Sequence, residues 1–147
     1  MKRHLIQTVY IALFALSTSA FAAEFGTADE AKAMLNKAVM AVKADKAAAL
    51  GQFAKGEAGF KDRDLYPFCG GTDGNFSAHP SLNGKSLKDL KDKAGKSLGE
   101  EIYKTAQEGS VKEIAYMWPR PGTTEPVQKV SYVTKIGDQT CAVGYYK

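Results

Sequence analysis

The sequence predicts an α+β fold, in which a five-stranded antiparallel sheet carries a long N-terminal helix and a second helix in the connection between strands two and three. Three observations predict it. Apolar residues recur with a period of 3.6 residues from Thr27 to about Phe53. Five short apolar runs follow, bounded by glycine, proline or acidic turn residues. Between the second and third runs, Ser97 and Glu100 stand at capping-box spacing and open a second helix. We expect the helices on one side of the sheet.

The first 22 residues have the composition of a secretory signal. Two basic residues precede a mostly apolar stretch, residues 5–21, that contains no charged side chain and ends in Ala20-Phe21-Ala22. We expect cleavage after Ala22, which leaves 147 − 22 = 125 residues (23–147) as one domain in the bacterial periplasm. The alternative, a membrane anchor, is disfavoured because polar residues interrupt the short apolar stretch. We expect no membrane span after the signal is removed.

Composition excludes several classes of function. The chain is 44% hydrophobic and 24% charged, as ordinary globular proteins are. Its net charge of +4, from 20 basic and 16 acidic side chains, falls to 18 − 16 = +2 without Lys2 and Arg3, which is too little to predict nucleic-acid binding. Two cysteines cannot form an all-cysteine zinc site, and His79 is the single histidine after the signal. We therefore predict neither a metal site nor a cofactor.

Local signals set the bounds of individual elements. Thr27 and Glu30 form a predicted capping box at the start of the long helix. The predicted strands span residues 64–70, 76–79, 111–118, 127–136 and 140–146, and the second helix begins after Ser97 and stops by Gly109. Gly137-Asp138 joins the last two strands in a tight hairpin.

Motifs along these strands resemble those of single Cache domains, which are extracellular relatives of PAS sensor domains. The matching segments, in chain order, are Asp64-Leu65-Tyr66-Pro67-Phe68, Asp73-Gly74, Ala78-His79-Pro80, Gly84-Lys85, Tyr116-Met117-Trp118 with Pro121, Pro126, Lys129-Val130-Ser131-Tyr132-Val133 and Val143-Gly144-Tyr145-Tyr146. The likeness covers about residues 27–146. It rests on the ordered series, since each segment falls at the expected place in the strand order.

This resemblance implies a PAS-like sheet behind a long N-terminal helix, and a pocket for a small organic ligand, often a short carboxylate. Cache domains usually sit between two membrane helices and feed a chemoreceptor or a kinase. For this sequence we predict neither a second membrane segment nor an output domain. We therefore expect a stand-alone periplasmic form that acts through a separate membrane sensor partner.

Strand alternation, together with the resemblance, selects the pocket residues. Side chains two positions apart share a face of a strand, which groups Tyr116 with Trp118. Aromatic walls with a few polar groups suit a small-ligand cavity. Lys129 supplies a positive charge for a carboxylate, and His79 supplies a hydrogen-bond donor. The predicted ligand-binding residues are Tyr66, Phe68, His79, Tyr116, Trp118 and Lys129.

Each of these residues also has a purely structural interpretation. The aromatic side chains are compatible with an ordinary core, and a lone lysine such as Lys129 is more often solvated at a sheet edge. His79, before Pro80, is compatible with a hydrogen-bonding residue at a strand end. Arg63 and Arg120 lie near the expected pocket mouth and are assigned to the surface.

Cys69 and Cys141 have three interpretations. A disulfide is favoured because the protein is predicted to be exported and the cysteine count is even. The PAS-like order implied by the resemblance also sets the first strand beside the fifth. A reactive thiol paired with His79 is the second interpretation, and metal binding is the third.

We therefore predict a periplasmic module that binds a small organic acid and catalyses no reaction, since we find no paired carboxylates, nucleophile elbow or phosphate loop. The first alternative is a structural or protein-interaction module with a filled core and no small ligand. The second is a small periplasmic hydrolase or thiol enzyme, against which a disulfide between the two cysteines would argue.

Overall fold

A computed structural model describes residues 23–147, so the predicted signal segment and its cleavage site lie outside the described residues. The elements are α1 (Ala28–Ala44), α2 (Lys46–Lys55), β1 (Pro67–Gly70), β2 (Phe76–Ala78), α3 (Leu98–Thr105), β3 (Lys112–Pro119), β4 (Pro126–Ile136) and β5 (Gln139–Tyr146). The strands form one sheet in the order β2-β1-β5-β4-β3, and every neighbouring pair is antiparallel. This confirms the predicted α+β fold with a five-stranded antiparallel sheet.

The long N-terminal helix is divided in two, so the prediction of one helix reaching Phe53 is wrong. Asp45 has an extended backbone (φ −153°, ψ 97°) and its carboxylate accepts a hydrogen bond from the Ala48 amide at 3.0 Å. Asp45 thus ends α1 and caps α2, a position that aspartate favours. The capping box at the start of α1 is confirmed: the Thr27 amide donates to Glu30 at 2.8 Å, and the Glu30 amide donates to the Thr27 hydroxyl at 3.3 Å.

Two other local predictions need correction. Ser97 stands at the N-cap of α3, but its side chain makes no capping hydrogen bond, so the second capping box is wrong. The first strand begins at Pro67 instead of Asp64. The chain before Pro67 is held in a turn, where the Leu65 amide donates to the Asp62 carbonyl at 2.8 Å.

The two faces of the sheet carry different layers. Helices α1 and α2 cover one face, where Leu35 and Phe53 pack with Val143 of β5. Helix α3 covers the opposite face, where Leu98 and Ile102 belong to a second apolar cluster. The prediction that all helices lie on one side is therefore wrong. The chain between β2 and α3, residues 79–97, joins α3 in covering this second face, and we call it the covering connection.

A disulfide joins the first and last strands of the chain. Cys69 of β1 and Cys141 of β5 are direct cross-strand neighbours with their Cα atoms 4.1 Å apart, and their sulfur atoms are bonded. Both residues are fully buried beneath α1 and α2. The predicted disulfide is confirmed, and it removes the thiol that a thiol enzyme would need.

Candidate ligand-binding site

A small space lies between the sheet and the α3 side of the molecule. Its volume is about 10 Å³, and we call it the inner cavity. Its lining residues are Tyr66, Phe68, Phe76, His79, Leu90, Leu98, Ile102, Tyr116 and Trp118. Five of the six predicted ligand-binding residues thus come together, while Lys129 is absent from this lining. A volume of this size holds about one water molecule, so side chains nearly fill the predicted hollow.

Lys129 lies on β4, an interior strand of the sheet, instead of at a solvated edge. Its side chain is buried (1% exposed), and its ammonium donates to the Tyr66 hydroxyl at 3.1 Å. The ammonium is 4.3 Å from the ring centre of Tyr66 and 4.8 Å from that of Tyr146. Within residues 23–147 no carboxylate forms an ion pair with it. Burial lowers the pKa of Lys129 to about 7, and the charge of Asp64 acts in the opposite direction.

A glycine on the neighbouring strand makes room for this lysine. A Cβ atom at Gly144 of β5 would lie 2.5 Å from Cε of Lys129. Only glycine therefore leaves space for the lysine stem to cross this part of the sheet. The buried position of Lys129 is thus built into the strand beside it.

His79 offers a neutral hydrogen-bond donor. Its Nδ1 accepts from the backbone amides of Ser81 and Leu82, at 3.0 and 3.1 Å. These contacts assign the ring proton to Nε2. Burial, and then the charge of Lys129, lowers the pKa of His79 to about 4, so the ring is neutral at neutral pH. His79 therefore combines the predicted strand-end hydrogen bonds with a place on the cavity wall.

Tyr116 and Trp118 of β3 form the other wall. The Tyr116 hydroxyl lies 2.8 Å from the Ser131 hydroxyl, and burial raises the pKa of Tyr116, so it stays protonated. The Trp118 ring is half-buried and its centre is 6.4 Å from that of Tyr116. Burial also raises the pKa of Tyr66 to about 12. All three side chains therefore keep their donor hydrogens at physiological pH.

A larger groove lies directly outside the inner cavity. It has a volume of about 280 Å³, and Tyr66, His79 and Trp118 line both spaces and separate them. Within the described part of the chain, four cationic side chains and no acidic one line this groove: Lys61, Arg63, Lys93 and Arg120. Arg63 and Arg120 therefore border the groove as well as the surface to which the sequence assigned them. Lys61 and Lys93 had no sequence signal, because they lie in loops without periodicity.

The two arginines of the groove are already paired. Arg63 forms ion pairs with Glu30 at 2.7 Å and Asp62 at 2.9 Å, and its hydrogen bonds lower the pKa of both carboxyl groups. Arg120 contacts Asp64 at 3.4 Å and stacks on the Phe25 ring at 4.1 Å. These pairs hold the chain before α1 against the groove.

The covering connection is held on the sheet by a buried carboxylate. Asp92 accepts hydrogen bonds from the amides of Ala94, Lys96 and Met117, at 2.8–2.9 Å. Burial opposes its ionisation, but these backbone hydrogen bonds outweigh burial and lower the pKa of Asp92. The Lys93 amide also donates to the Met117 carbonyl at 3.1 Å. The position of the connection above β3 is therefore fixed by its own backbone.

Fold and site together place the protein in a class. A five-stranded antiparallel sheet in this order, with a small aromatic cavity under a covering connection, defines the PAS-like sensor domains. A model of the Cache domain matches residues 30–145, and the chain therefore belongs to the Cache domain family. The resemblance stated from the sequence is confirmed.

Individual relatives agree with this assignment. The chain is 34% identical over 56 residues to the methyl-accepting chemotaxis protein McpP of Pseudomonas putida, a match that covers 38% of this chain and 10% of that protein. A solved structure described as the periplasmic sensor domain of a chemotaxis protein is 25% identical, with a TM-score of 0.61 over 80% of this chain and 88% of that one. A Cache chemosensory domain described in terms of carboxylic acid recognition is 24% identical, with a TM-score of 0.56 over 80% and 86%. Among residues 23–147, no helix has the length and apolar character needed to cross a membrane.

Proposed function

We propose that this protein is a periplasmic sensing module that binds a short organic acid and catalyses no reaction. The acid is held without a covalent bond, with Lys129 as its counter-charge and His79 and the aromatic side chains around it. The domain spans residues 23–147 after removal of the signal, and it acts on a separate membrane sensor. Its similarity to sensor domains of chemotaxis proteins supports this role.

One observation carries the proposal. Lys129 is a buried ammonium that has no acidic partner among the described residues and a single hydrogen bond, to Tyr66. A buried charge without a partner costs several kcal/mol. A ligand carboxylate would supply the missing charge, and the charge-assisted hydrogen bond contributes roughly 1.5–3 kcal/mol.

To reach Lys129, the acid must displace one of the three side chains that separate the groove from the inner cavity. Because the cavity of about 10 Å³ holds only one water molecule, Tyr66, His79 or Trp118 must move when a carboxylate enters. Trp118 is half-buried whereas Tyr66 and His79 are buried, so Trp118 is the side chain of the three that moves most easily. The carboxylate thus enters first and the rest of the acid remains in the groove.

Calorimetric titration with acetate, propionate and butyrate tests the proposal. We expect Lys129→Met to weaken acid binding roughly 10- to 100-fold, because the methionine keeps the length of the side chain and removes its charge. Lys135→Gln is the matched control, since Lys135 is an exposed lysine on the same strand. Equal affinities for wild type and Lys129→Met would remove Lys129 from the site.

Lys129 gives the wild-type protein two opposite pH effects, one on stability and one on acid affinity. The pKa of Lys129 in the ligand-free protein, about 7, lies below the usual value of 10.5, so the unfolded chain holds the proton more tightly. Stability of the ligand-free protein therefore rises between about pH 7 and pH 10.5, while acid affinity falls over the same range as the ammonium is lost. Lys129→Met removes both effects.

The nearly filled inner cavity favours one alternative, a structural or protein-interaction module without a small ligand. This alternative predicts that no acid raises the melting temperature of the wild-type protein at millimolar concentration. Binding of any acid to the wild type with loss in Lys129→Met excludes it.

A further inference from the structure

The inner cavity is too small to hold a whole organic acid, whereas the groove outside it is not. The inner cavity measures about 10 Å³ and the groove about 280 Å³. As it stands, the inner cavity has room for about one water molecule, whereas the groove has room for a small organic molecule. The chemistry of the groove therefore decides what the remainder of the ligand must be.

Two of the four cations that line the groove have no acidic partner. Arg63 is paired with Glu30 and Asp62, and Arg120 contacts Asp64. Lys61 and Lys93 form no ion pair with any residue in the described range 23–147. With no acidic side chain in the described lining, the groove favours a ligand that brings negative charge of its own.

Lys93 is the better placed of these two lysines. Its ammonium lies 5.8 Å from the ring centre of Trp118, which is one of the three side chains between groove and inner cavity. Its backbone is fixed, because the Lys93 amide donates to Met117 and the neighbouring Asp92 binds the Met117 amide. Lys61 contacts no aromatic ring among the described side chains.

We infer that the bound acid carries two anionic groups, one directed to Lys129 and the second held in the groove by Lys93 above Trp118. This inference rests on the proposed function and names its ligand class: a short diacid. The hydrocarbon spacer lies against Trp118 and the prolines of the groove wall, Pro80, Pro119 and Pro121. Lys93 is thus a specificity-determining residue that favours diacids over monoacids.

Pairs of acids with equal carbon number test this inference. We would titrate the wild-type protein with malonate against propionate, succinate against butyrate, and glutarate against pentanoate. We expect at least one diacid to bind about tenfold more tightly than its monoacid, the effect of one added charge-assisted contact. Lys93→Gln should remove most of this ratio by weakening the diacid alone.

Two variants serve as controls. Lys91→Gln removes the same charge two residues away, in the same connection but outside the groove, and should keep the ratio. Lys61→Gln removes the other unpaired cation of the groove and should lower the ratio less than Lys93→Gln does. Thermal unfolding of each variant checks that it is folded.

The outcomes separate this inference from the proposed function. If diacids and monoacids bind equally, or if Lys93→Gln weakens both equally, the inference is overturned while acid binding stands. If Lys61→Gln alone removes the ratio, the assignment to Lys93 is wrong. If no acid of either kind binds the wild type, the proposed function itself fails.

Discussion

The two faces of the sheet are built from the same strands but differ in chemistry. Beneath α1 and α2 the interior is apolar and is closed by the Cys69–Cys141 disulfide. On the α3 face the interior holds an ammonium, an imidazole and paired hydroxyl groups, those of Lys129, His79 and the Tyr116–Ser131 pair. Strand β4 serves both faces, since Tyr132 packs under α1 while Lys129 and Ser131 point the other way.

This difference teaches how a small domain combines stability with binding. Burying polar groups costs free energy unless they are paired. Among residues 23–147, Lys129 is a buried charge without an ion-pair partner, and it lies on the α3 face. The apolar face and the disulfide compensate for that cost. The comparison predicts that changes on the α1 face alter stability alone, and that changes on the α3 face alter binding or pH dependence.

Removal of the disulfide gives the largest expected loss of stability. Cys69→Ala combined with Cys141→Ala opens a loop with a sequence separation of 72 residues. We expect the free energy of unfolding to fall by about 4 kcal/mol, because the unfolded chain regains the entropy of that loop. Urea denaturation of the oxidised wild type and the double variant measures the difference.

The acid affinity of the double cysteine variant tests whether the two faces of the sheet act independently. Both cysteines lie on the α1 face, so the folded double variant should bind acids as the wild type does. A large loss of affinity at a temperature where the variant is folded would contradict the independence of the two faces.

The second largest expected loss of stability occurs at acid pH and arises from His79 on the α3 face. The pKa of His79 is about 4 in the folded protein, below its usual value of 6.5, because of burial and then the charge of Lys129. The unfolded chain therefore takes up the proton first, and stability falls as pH drops from 6.5 towards 4. Between pH 7 and pH 5 the contribution of His79 is about 2 kcal/mol.

The variant His79→Gln isolates this contribution. Carboxylate titrations are common to both proteins, so the difference between their stability–pH curves reports His79. We expect the variant to have a flatter curve between pH 7 and pH 5, measured by urea denaturation at each pH. Parallel curves would show that the imidazole is not held neutral by its surroundings.

Periodicity and turn signals were enough to predict the sheet and most of one cavity wall. Alternation along β3 fixes which side chains share a face, and this correctly grouped Tyr116 with Trp118. The order of the motifs supplied the family, and with it the strand neighbours that bring Cys69 and Cys141 together. These features depend on residues close in sequence or on the order of elements.

The remaining features depend on contacts that have no local pattern. Asp92 binds the amide of Met117, which is 25 residues away, so the covering connection could not be placed from its own sequence. The depth of Lys129 depends on Gly144 in the next strand. By contrast, the break at Asp45 had a local signal, since aspartate commonly begins a helix, but the apolar stripe continues across it.

The smallest predicted loss of stability comes from replacing Asp92, and it should change local opening on the α3 face alone. Asp92→Asn replaces a carboxylate that accepts three backbone amides with an amide group that cannot accept as many. We expect a loss of about 1.5 kcal/mol in the free energy of unfolding, at the lower end for hydrogen bonds to a charged group. Asp89→Asn, an exposed aspartate in the same connection, is the control.

Hydrogen exchange locates the effect of Asp92→Asn. Exchange should be faster for the amides of Ala94, Lys96 and Met117, because the asparagine side chain cannot accept hydrogen bonds from all three. The amides of α1 should keep their wild-type exchange rates. Since Lys93 reaches Trp118 only while this turn is fixed on β3, the loosened variant should also bind succinate more weakly than the control does. If amide exchange in α1 became equally faster, the two faces would open as one unit. That result would contradict the assignment of stability to one face and binding to the other.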